Sequence, residues 1–175
     1  MRRRFGKHTR PREGAREVSF SLAGVRPGPS GSKVISYYRS GPSQGRAFIR
    51  PASKYQEPFQ EAVAEVARAA MEGKELLEGP VALEVFIYWK RPGKHYIGNL
   101  ESKTSKARKA VKPGTPWIPE TRPDTTKLFR AVEDALLKIV FNDDSQVSRI
   151  LVEKIYADDW FVDVRCYELE PYPHD

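Results

Sequence analysis

Three aspartates lie near the two ends of one predicted helix in the second half of the chain. Asp124 precedes the amphipathic segment 125–139, and Asp143 and Asp144 lie in the turn that follows it. Carboxylate oxygens can bind a hard cation such as Mg²⁺. At ~1.5 Å per residue, however, the helix is about 20 Å long. One chain then supplies only part of a shared site, unless the fold brings the turn back towards Asp124.

Each of these charged residues also has an ordinary structural explanation. Asp124 stands where an N-cap is expected, and the segment 142–145 (Asn-Asp-Asp-Ser) is a natural turn. The remaining charged side chains of the helix are expected to face solvent or to form ion pairs: Lys127, Arg130, Glu133 and Asp134. The residue types alone therefore do not identify an active site.

Hydrophobic periodicity indicates the elements that would position these residues. Apolar residues recur at helical spacing in 54–71 and 125–139, and Ser53 with Gln56 forms a possible capping box for the first helix. Alternating, β-branched or aromatic patterns predict strands. We expect them at 18–22, 33–38, 46–49, 81–89, 146–156 and 160–168, with the last two joined as a closing hairpin. The segment 91–119 is polar and basic, and we expect a long loop with a short helix near 102–110.

This order of elements predicts an α+β fold, with two helices packed on a small mixed or antiparallel β-sheet. The chain of 175 residues is short enough for one principal domain. We expect a basic disordered tail over 1–16, the folded domain over 17–170 with its basic loop at 91–119, and a C-terminal tail over 171–175.

Positive charge is concentrated in two segments of the chain. Residues 1–17 carry seven Arg or Lys side chains and two Glu, and residues 90–113 carry eight and one, within a net charge of +7. The rest of the chain is therefore mildly acidic. Basic segments on an acidic body favour a polyanionic partner such as nucleic acid, although a solvated surface is the alternative.

Several functional classes are excluded by composition. No apolar run approaches the ~20 residues that span a bilayer, and no apolar stretch follows the basic N-terminus as in a secretory signal. One cysteine and three scattered histidines provide neither an internal disulfide nor a zinc-binding spacing. We therefore expect a cytoplasmic protein without a membrane interaction.

The combination of motifs around the second helix is more specific than any single residue. The segments 122–124 (Arg-Pro-Asp), 134–136 (Asp-Ala-Leu) and 143–147 (Asp-Asp-Ser-Gln-Val) occur in that order. This pattern resembles the RusA family of Holliday-junction resolvases, in a phage- or prophage-like form. The resemblance covers about 17–170 but is specific only over 122–147. It implies a Mg²⁺-dependent endonuclease, with Mn²⁺ as a possible substitute, that cleaves branched DNA as a homodimer.

The resemblance also implies roles for individual residues. Asp124 and Asp144 match metal-binding, catalytic aspartates, Asp143 is a further candidate ligand, and Arg130 stands where the family has a catalytic lysine. An arginine binds phosphate well but transfers protons poorly, so we assign it an electrostatic role. Thr126 replaces a family aspartate, which should weaken metal affinity. Asp143 or Glu120 could compensate.

The same resemblance predicts DNA contacts from cations near the motif and in the two basic segments. These are Arg122, Lys127, Arg2, Arg3, Arg4, Lys103, Lys106, Arg108 and Lys109. Two alternatives stay open. One is a catalytically weakened RusA-like DNA-binding protein, which Thr126 motivates. The other is a basic nucleic-acid-binding module without nuclease activity.

Overall fold

A computed structural model describes residues 14–97 and 110–170 and confirms the predicted α+β class. The two 3₁₀ turns are Gly93–His95 and Asp144–Gln146. The helices and strands, in chain order, are β1 (Glu17–Ala23), β2 (Lys33–Tyr37), β3 (Ala47–Pro51), α1 (Gln56–Ala70), β4 (Val81–Lys90), α2 (Thr125–Leu136), β5 (Val147–Ala157) and β6 (Phe161–Glu168).

Four strands form the main sheet in the order β1-β6-β4-β5, and β2 and β3 form a separate antiparallel ribbon. In the main sheet, β4 pairs parallel with β5 and antiparallel with β6. The predicted closing hairpin is therefore wrong, because β4 lies between its two strands. The reason is visible in β4 itself, which is buried along most of its length. Such a strand is favoured at the centre of a sheet, where both of its edges are paired.

The core lies between one face of the main sheet and the two helices. Helix α1 contributes Phe59, Val63 and Ala67, and α2 contributes Leu128, Val132 and Leu136. Burial of each large aliphatic or aromatic side chain is favourable by about 1.5–3 kcal/mol. The regular apolar stripes of the two helices therefore fix which of their faces lie on the sheet, and they leave the charged face of α2 towards solvent.

Both helices depart from their predicted ends. The capping box predicted for α1 is wrong, because the helix begins after Tyr55 and has no side-chain cap. The Ser53 hydroxyl instead accepts a hydrogen bond from the Tyr55 backbone N–H at 3.2 Å. Helix α2 ends at Leu136, since Lys138 adopts a φ of 62°. This left-handed residue turns the chain towards the 3₁₀ turn before β5.

The predicted tails and the predicted helix near 102–110 lie largely or wholly outside the described residues. Arg16, the last residue of the predicted N-terminal tail, lies against Glu168 with 2.6 Å between Nη2 and Oε1. The described flanks of the basic loop pair with each other, because the Ile97 N–H bonds the Ala110 carbonyl at 2.8 Å. No helix within the described ranges is long and apolar enough to cross a membrane.

Candidate active site

Asp124 occupies the N-cap position of α2 without capping it through its side chain. Its backbone is extended, with φ −64° and ψ 137°, and its carboxylate accepts no hydrogen bond from a backbone N–H of the helix. The nearest cation is Lys127, whose Nζ lies 3.6 Å from Oδ2. The side chain is 55% exposed. The ordinary explanation of Asp124 as a side-chain cap therefore fails, and the carboxylate is open to a ligand.

The loop between β1 and β2 packs along the first turns of α2. The Ser30 backbone N–H donates to the Lys127 carbonyl at 2.9 Å, and the Lys127 ammonium donates to the Ser32 hydroxyl at 2.9 Å. A Cβ on Gly28 would lie 2.1 Å from the Tyr55 carbonyl oxygen, so only glycine permits this close approach to the start of α1. These contacts fix the loop beside Asp124.

Lys154 on β5 supports the segment that leads into Asp124. Its buried ammonium donates to the Thr121 carbonyl at 2.8 Å and to the Pro123 carbonyl at 2.9 Å. Burial lowers the pKa of Lys154, while the negative charge of Asp124 acts in the opposite direction. Sequence reasoning missed this residue. The signal was a lysine that shares the inward face of an alternating strand with Val152 and Tyr156.

A cleft of about 570 Å³ opens in front of Asp124. Among the described residues that line it, Asp124 is the one acid, and the cations are Arg26, Lys54, Arg122 and Lys127. Aromatic side chains form part of its wall. The Arg26 guanidinium lies 4.1 Å from the centre of the Tyr55 ring, a cation–π arrangement. A cationic cleft with aromatic walls suits a nucleotide chain, which presents phosphates and flat bases.

The turn beyond α2 uses its polar side chains to hold its own shape. The Asp143 carboxylate accepts the Ser145 N–H at 3.0 Å, and hydrogen bonds from Ser145 lower the pKa of Asp143. The Gln146 amide donates to the Leu77 and Gly79 carbonyls at 3.2 and 2.9 Å. Its oxygen accepts the Asn142 and Asp143 N–H groups at 2.8 and 3.0 Å. The Asp-Asp-Ser-Gln segment is therefore a hydrogen-bonded turn.

Asp144 is exposed in this turn and lies near a second acid that sequence reasoning had assigned to solvent or an ion pair. Glu133 is half-buried on α2. Burial raises the pKa of Glu133, repulsion from Asp144 and Asp134 adds to this, and Arg130 opposes it. The charges of Asp144 and Arg130 thus both act on Glu133. The proximity of Glu133 to Asp144 could not be predicted from the sequence, because hydrophobic periodicity does not show that the turn folds back towards α2.

Asp134 has a structural role in the same helix. Its carboxylate accepts hydrogen bonds from the Ser30 hydroxyl at 2.7 Å and from the Gln60 amide at 3.3 Å. It thereby joins α2 to both α1 and the loop that borders the cleft. The Asp-Ala-Leu part of the motif is explained by this bond together with the buried Ala135 and Leu136.

Asp124 and Asp144 belong to the two segments that flank α2. Asp124 directly precedes the helix, Asp144 begins the 3₁₀ turn after it, and the helix itself is about 18 Å long at ~1.5 Å per residue. Within residues 14–97 and 110–170, no group of three or more His, Cys, Asp or Glu side chains is arranged to hold a metal ion.

Two of the predicted DNA-contacting residues, Arg122 and Lys127, line the cleft beside Asp124. Arg130 lies one turn further along α2 and is exposed. The other predicted DNA contacts lie outside the described residues, so the structure does not place them: Arg2, Arg3, Arg4, Lys103, Lys106, Arg108 and Lys109.

Comparison with known proteins identifies relatives of this arrangement. Residues 30–166 match the family described as Endodeoxyribonuclease RusA, and they include most of the cleft lining, both helices and the turn before β5. The chain is also similar to the uncharacterized protein YqaN of Bacillus subtilis (strain 168), with 33% identity over 117 residues. That alignment covers 67% of this chain and 75% of the relative. The chain therefore belongs to the RusA endodeoxyribonuclease family.

Proposed function

We propose that this protein is a structure-selective endodeoxyribonuclease that cleaves four-way junctions and other branched DNA in recombination and repair. The observation that carries the proposal is the position of the Asp124 carboxylate. This carboxylate is not used as a helix cap, and it faces a cationic cleft in a chain of the RusA family. An acid that accepts no capping hydrogen bond from its helix and faces a cationic cleft is better explained by chemistry than by stability.

The cations of the cleft have a clear part in this activity. Arg122, Lys127 and Lys54 are placed to hold phosphates of the bound strand. Arg130 stabilises charge that develops on the phosphate in the transition state, because its guanidinium is a fixed donor. Lys154 holds the carbonyls before Asp124 and so orients the candidate catalytic carboxylate.

Mg²⁺ or Mn²⁺ dependence is part of the proposal, although the described residues contain no group of three or more His, Cys, Asp or Glu side chains arranged to hold a metal ion. Asp124 has lysines around it, and Asp144 lies with Glu133 at the other end of α2. We therefore derive no catalytic step through a metal. Asp124 and Asp144 are the proposed ligands, whereas Asp143, the further candidate, already accepts the Ser145 N–H.

A homodimer is part of the proposal for an independent reason. A four-way junction has two-fold symmetry, and paired incisions need two matched active sites. Light scattering is expected to give twice the chain mass of 19.9 kDa at micromolar concentration. A single-chain mass at all concentrations that support cleavage would contradict the dimer.

A catalytically weakened DNA-binding member of the family is the second candidate. Thr126 stands where the family has an aspartate, and Lys127 places a positive charge 3.6 Å from Asp124. Both features lower the negative charge available to a cation. This candidate predicts junction binding without cleavage at any Mg²⁺ or Mn²⁺ concentration.

The deciding experiment incubates a labelled four-way junction and a matched linear duplex with the protein in Mg²⁺, Mn²⁺ or EDTA. We expect incision of the junction in the divalent ions, no incision in EDTA and little incision of the duplex. Asp124→Asn should abolish incision, while Glu65→Gln, at an exposed carboxylate of α1, should leave it unchanged. Equal incision by native protein and Asp124→Asn would refute the assignment of Asp124.

A further inference from the structure

The ribbon of β2 and β3 extends from the domain as a separate two-stranded sheet. Its strands pair in antiparallel register from Lys33 opposite Pro51 to Tyr37 opposite Ala47. The Tyr38 N–H and carbonyl continue the ladder to Arg46 and Gly45 at 3.1 and 3.0 Å. An isolated two-stranded hairpin is marginal in water. A ribbon of this kind is therefore expected to serve a purpose beyond stability.

The charge of the ribbon has one sign. Residues 33–54 contain five cations and no acidic residue, within a chain that has 23 acids. The cations are Lys33, Arg39, Arg46, Arg50 and Lys54. None of them forms an ion pair with a carboxylate in the described part of the chain. Such a surface complements a polyanion.

The two faces of the ribbon differ. On one face Arg50 donates to the Ser36 hydroxyl at 2.8 Å, and the Tyr38 and Phe48 rings lie 4.6 Å apart. The opposite face presents apolar side chains to solvent, since Ile35, Tyr37 and Ile49 are 66%, 62% and 68% exposed. A soluble domain seldom leaves such large side chains together on a strand pair without a partner.

The ribbon begins and ends at the candidate active site. Ser32, directly before β2, accepts a hydrogen bond from Lys127, and Lys54, just after β3, lines the same cleft as Asp124. The Ala52 N–H bonds the Ser32 carbonyl at 2.9 Å and closes the base of the ribbon. A nucleic-acid strand bound in the cleft would therefore pass the base of the ribbon.

We propose that the β2–β3 ribbon is a DNA-binding arm that engages the branch point. Its cations contact phosphates, and its exposed apolar face packs against bases that are unpaired where the arms of the DNA meet. Two-stranded ribbons fit into DNA grooves, and apolar side chains of DNA-bending proteins insert at unstacked base steps. The charge favours DNA over a protein partner. This inference rests on the proposed function for the choice of branched DNA.

The first test measures binding without cleavage, by fluorescence anisotropy of a labelled four-way junction in EDTA at several salt concentrations. The variant Arg46→Gln/Arg50→Gln should bind more weakly, and its salt slope should fall by about 0.9 for each phosphate that it no longer neutralises. Arg46→Lys/Arg50→Lys keeps the charge and should keep the slope. The matched control Arg68→Gln/Lys74→Gln removes two cations on and just after α1 and should bind like native protein.

The second test concerns the apolar face. Tyr37→Ala should reduce affinity for the four-way junction at least ~5-fold while changing affinity for linear duplex little, since loss of a stacking side chain costs about 1–3 kcal/mol per base. Ile150→Ala removes a comparably exposed apolar side chain from β5 and should change neither affinity. Equal losses on junction and duplex would contradict the assignment of this face to unpaired bases.

The failures of the two proposals are distinguishable. If ribbon variants bind like native protein while native protein cleaves junctions, the ribbon proposal is wrong and the nuclease function stands. If ribbon variants lose binding and native protein never cleaves, the nuclease function is wrong and the arm stands. If the charge variants bind normally and Tyr37→Ala halves the solution mass, the ribbon is a contact between copies, which also overturns the proposal.

Discussion

Asp124 at the start of α2 and Asp143 beyond its end both precede a helical turn, yet their carboxylates have different surroundings. Asp143 accepts the Ser145 N–H and completes a capping box with Gln146. Asp124 caps nothing through its side chain and has a lysine ammonium 3.6 Å away. An acid at a helix start is therefore not one kind of residue. The structural acid, Asp143, already accepts a hydrogen bond from its turn, whereas the candidate catalytic acid, Asp124, accepts none from its helix.

After Asp124→Asn, the largest effect is expected from Asp144, one of the two neighbouring acids of the turn. Asp144→Asn should lower junction cleavage at least ~100-fold, since loss even of groups that support metal ligands costs 10–100-fold. Its affinity for the junction should stay or rise, because repulsion with phosphate is reduced. Asp143→Asn, a matched change one residue away, should cleave within a few-fold of native. Single-turnover rates measure both, and a reversed order would make Asp143 the functional acid.

Gln146→Ala should cause the largest loss of stability among the turn residues. The side chain makes four hydrogen bonds that connect the turn to the segment before β4. At about 1 kcal/mol each, and with imperfect additivity, we expect a loss of about 2–3 kcal/mol in the free energy of unfolding. Ser148→Ala should stay within ~0.5 kcal/mol. Urea denaturation compares them, and equal values would show that Gln146 does not hold the turn.

Lys154→Met is expected to lower the cleavage rate about 10-fold while junction affinity remains near native. The ammonium does not itself line the cleft, but it orients the Thr121 and Pro123 carbonyls that precede Asp124, and small misplacements of reacting groups are costly. Lys90→Met, at an exposed lysine of β4, is the control. A rate equal to native would exclude a positioning role for Lys154, and a matched loss of affinity would indicate DNA contact instead.

The contrast between the two caps is tested by stability alone. Asp143→Ala should destabilise the protein by about 1 kcal/mol, the usual value of an N-cap side chain. Asp124→Ala should change stability by less than ~0.5 kcal/mol, because the helix loses no hydrogen bond. Thermal and urea unfolding provide the values. A larger loss for Asp124→Ala would restore its ordinary explanation as a cap.

The smallest effect is expected from Thr126→Asp, which restores the family's acid in the first turn of α2. The helix dipole favours negative charge there, by up to about 1 kcal/mol, so the fold should tolerate the change. We expect half-maximal cleavage at a lower Mg²⁺ concentration than in native protein. The Lys127 ammonium partly neutralises the Asp124 carboxylate, and the added carboxylate would restore negative charge for the cation. A Mg²⁺ titration compares the two proteins. Identical curves would place residue 126 outside the metal-binding region.

Much of the fold was predictable because local periodicity determines it. The stripes of α1 and α2 and the apolar run of β4 each identified an element to within a few residues. Strand order was not predictable in this way. Two arrangements of β5 and β6 bury the same alternating side chains. In one they pair directly as a hairpin, and in the observed one β4 lies between them. Only the pairing of distant segments distinguishes the two.

Motif resemblance predicts the candidate site at Asp124 and Asp144, and these residues stay a prediction, but the surroundings of the two acids could not be predicted. The charge of Asp124 acts on Lys154 and that of Asp144 acts on Glu133 through tertiary proximity, and neither Lys154 nor Glu133 stands beside its acid in the sequence. The ribbon had a visible signal, the absence of any acid over residues 33–54. That signal is weaker than the positive charge of residues 1–17 and 90–113. Charge density alone therefore identifies those two segments and not the ribbon.

The pairing of β1 with β6 has a consequence for synthesis of the protein. The first strand of the domain hydrogen-bonds only to the last, from Glu17 opposite Tyr167 to Ala23 opposite Phe161. A nascent chain therefore cannot complete its sheet until its C-terminal strand has left the ribosome. Until then β1 has no strand partner and β4 lacks its neighbour β6, so that their unpaired edges are open to aggregation. A stop codon before Phe161 should thus yield a chain that does not fold and is degraded, rather than a folded protein with reduced activity.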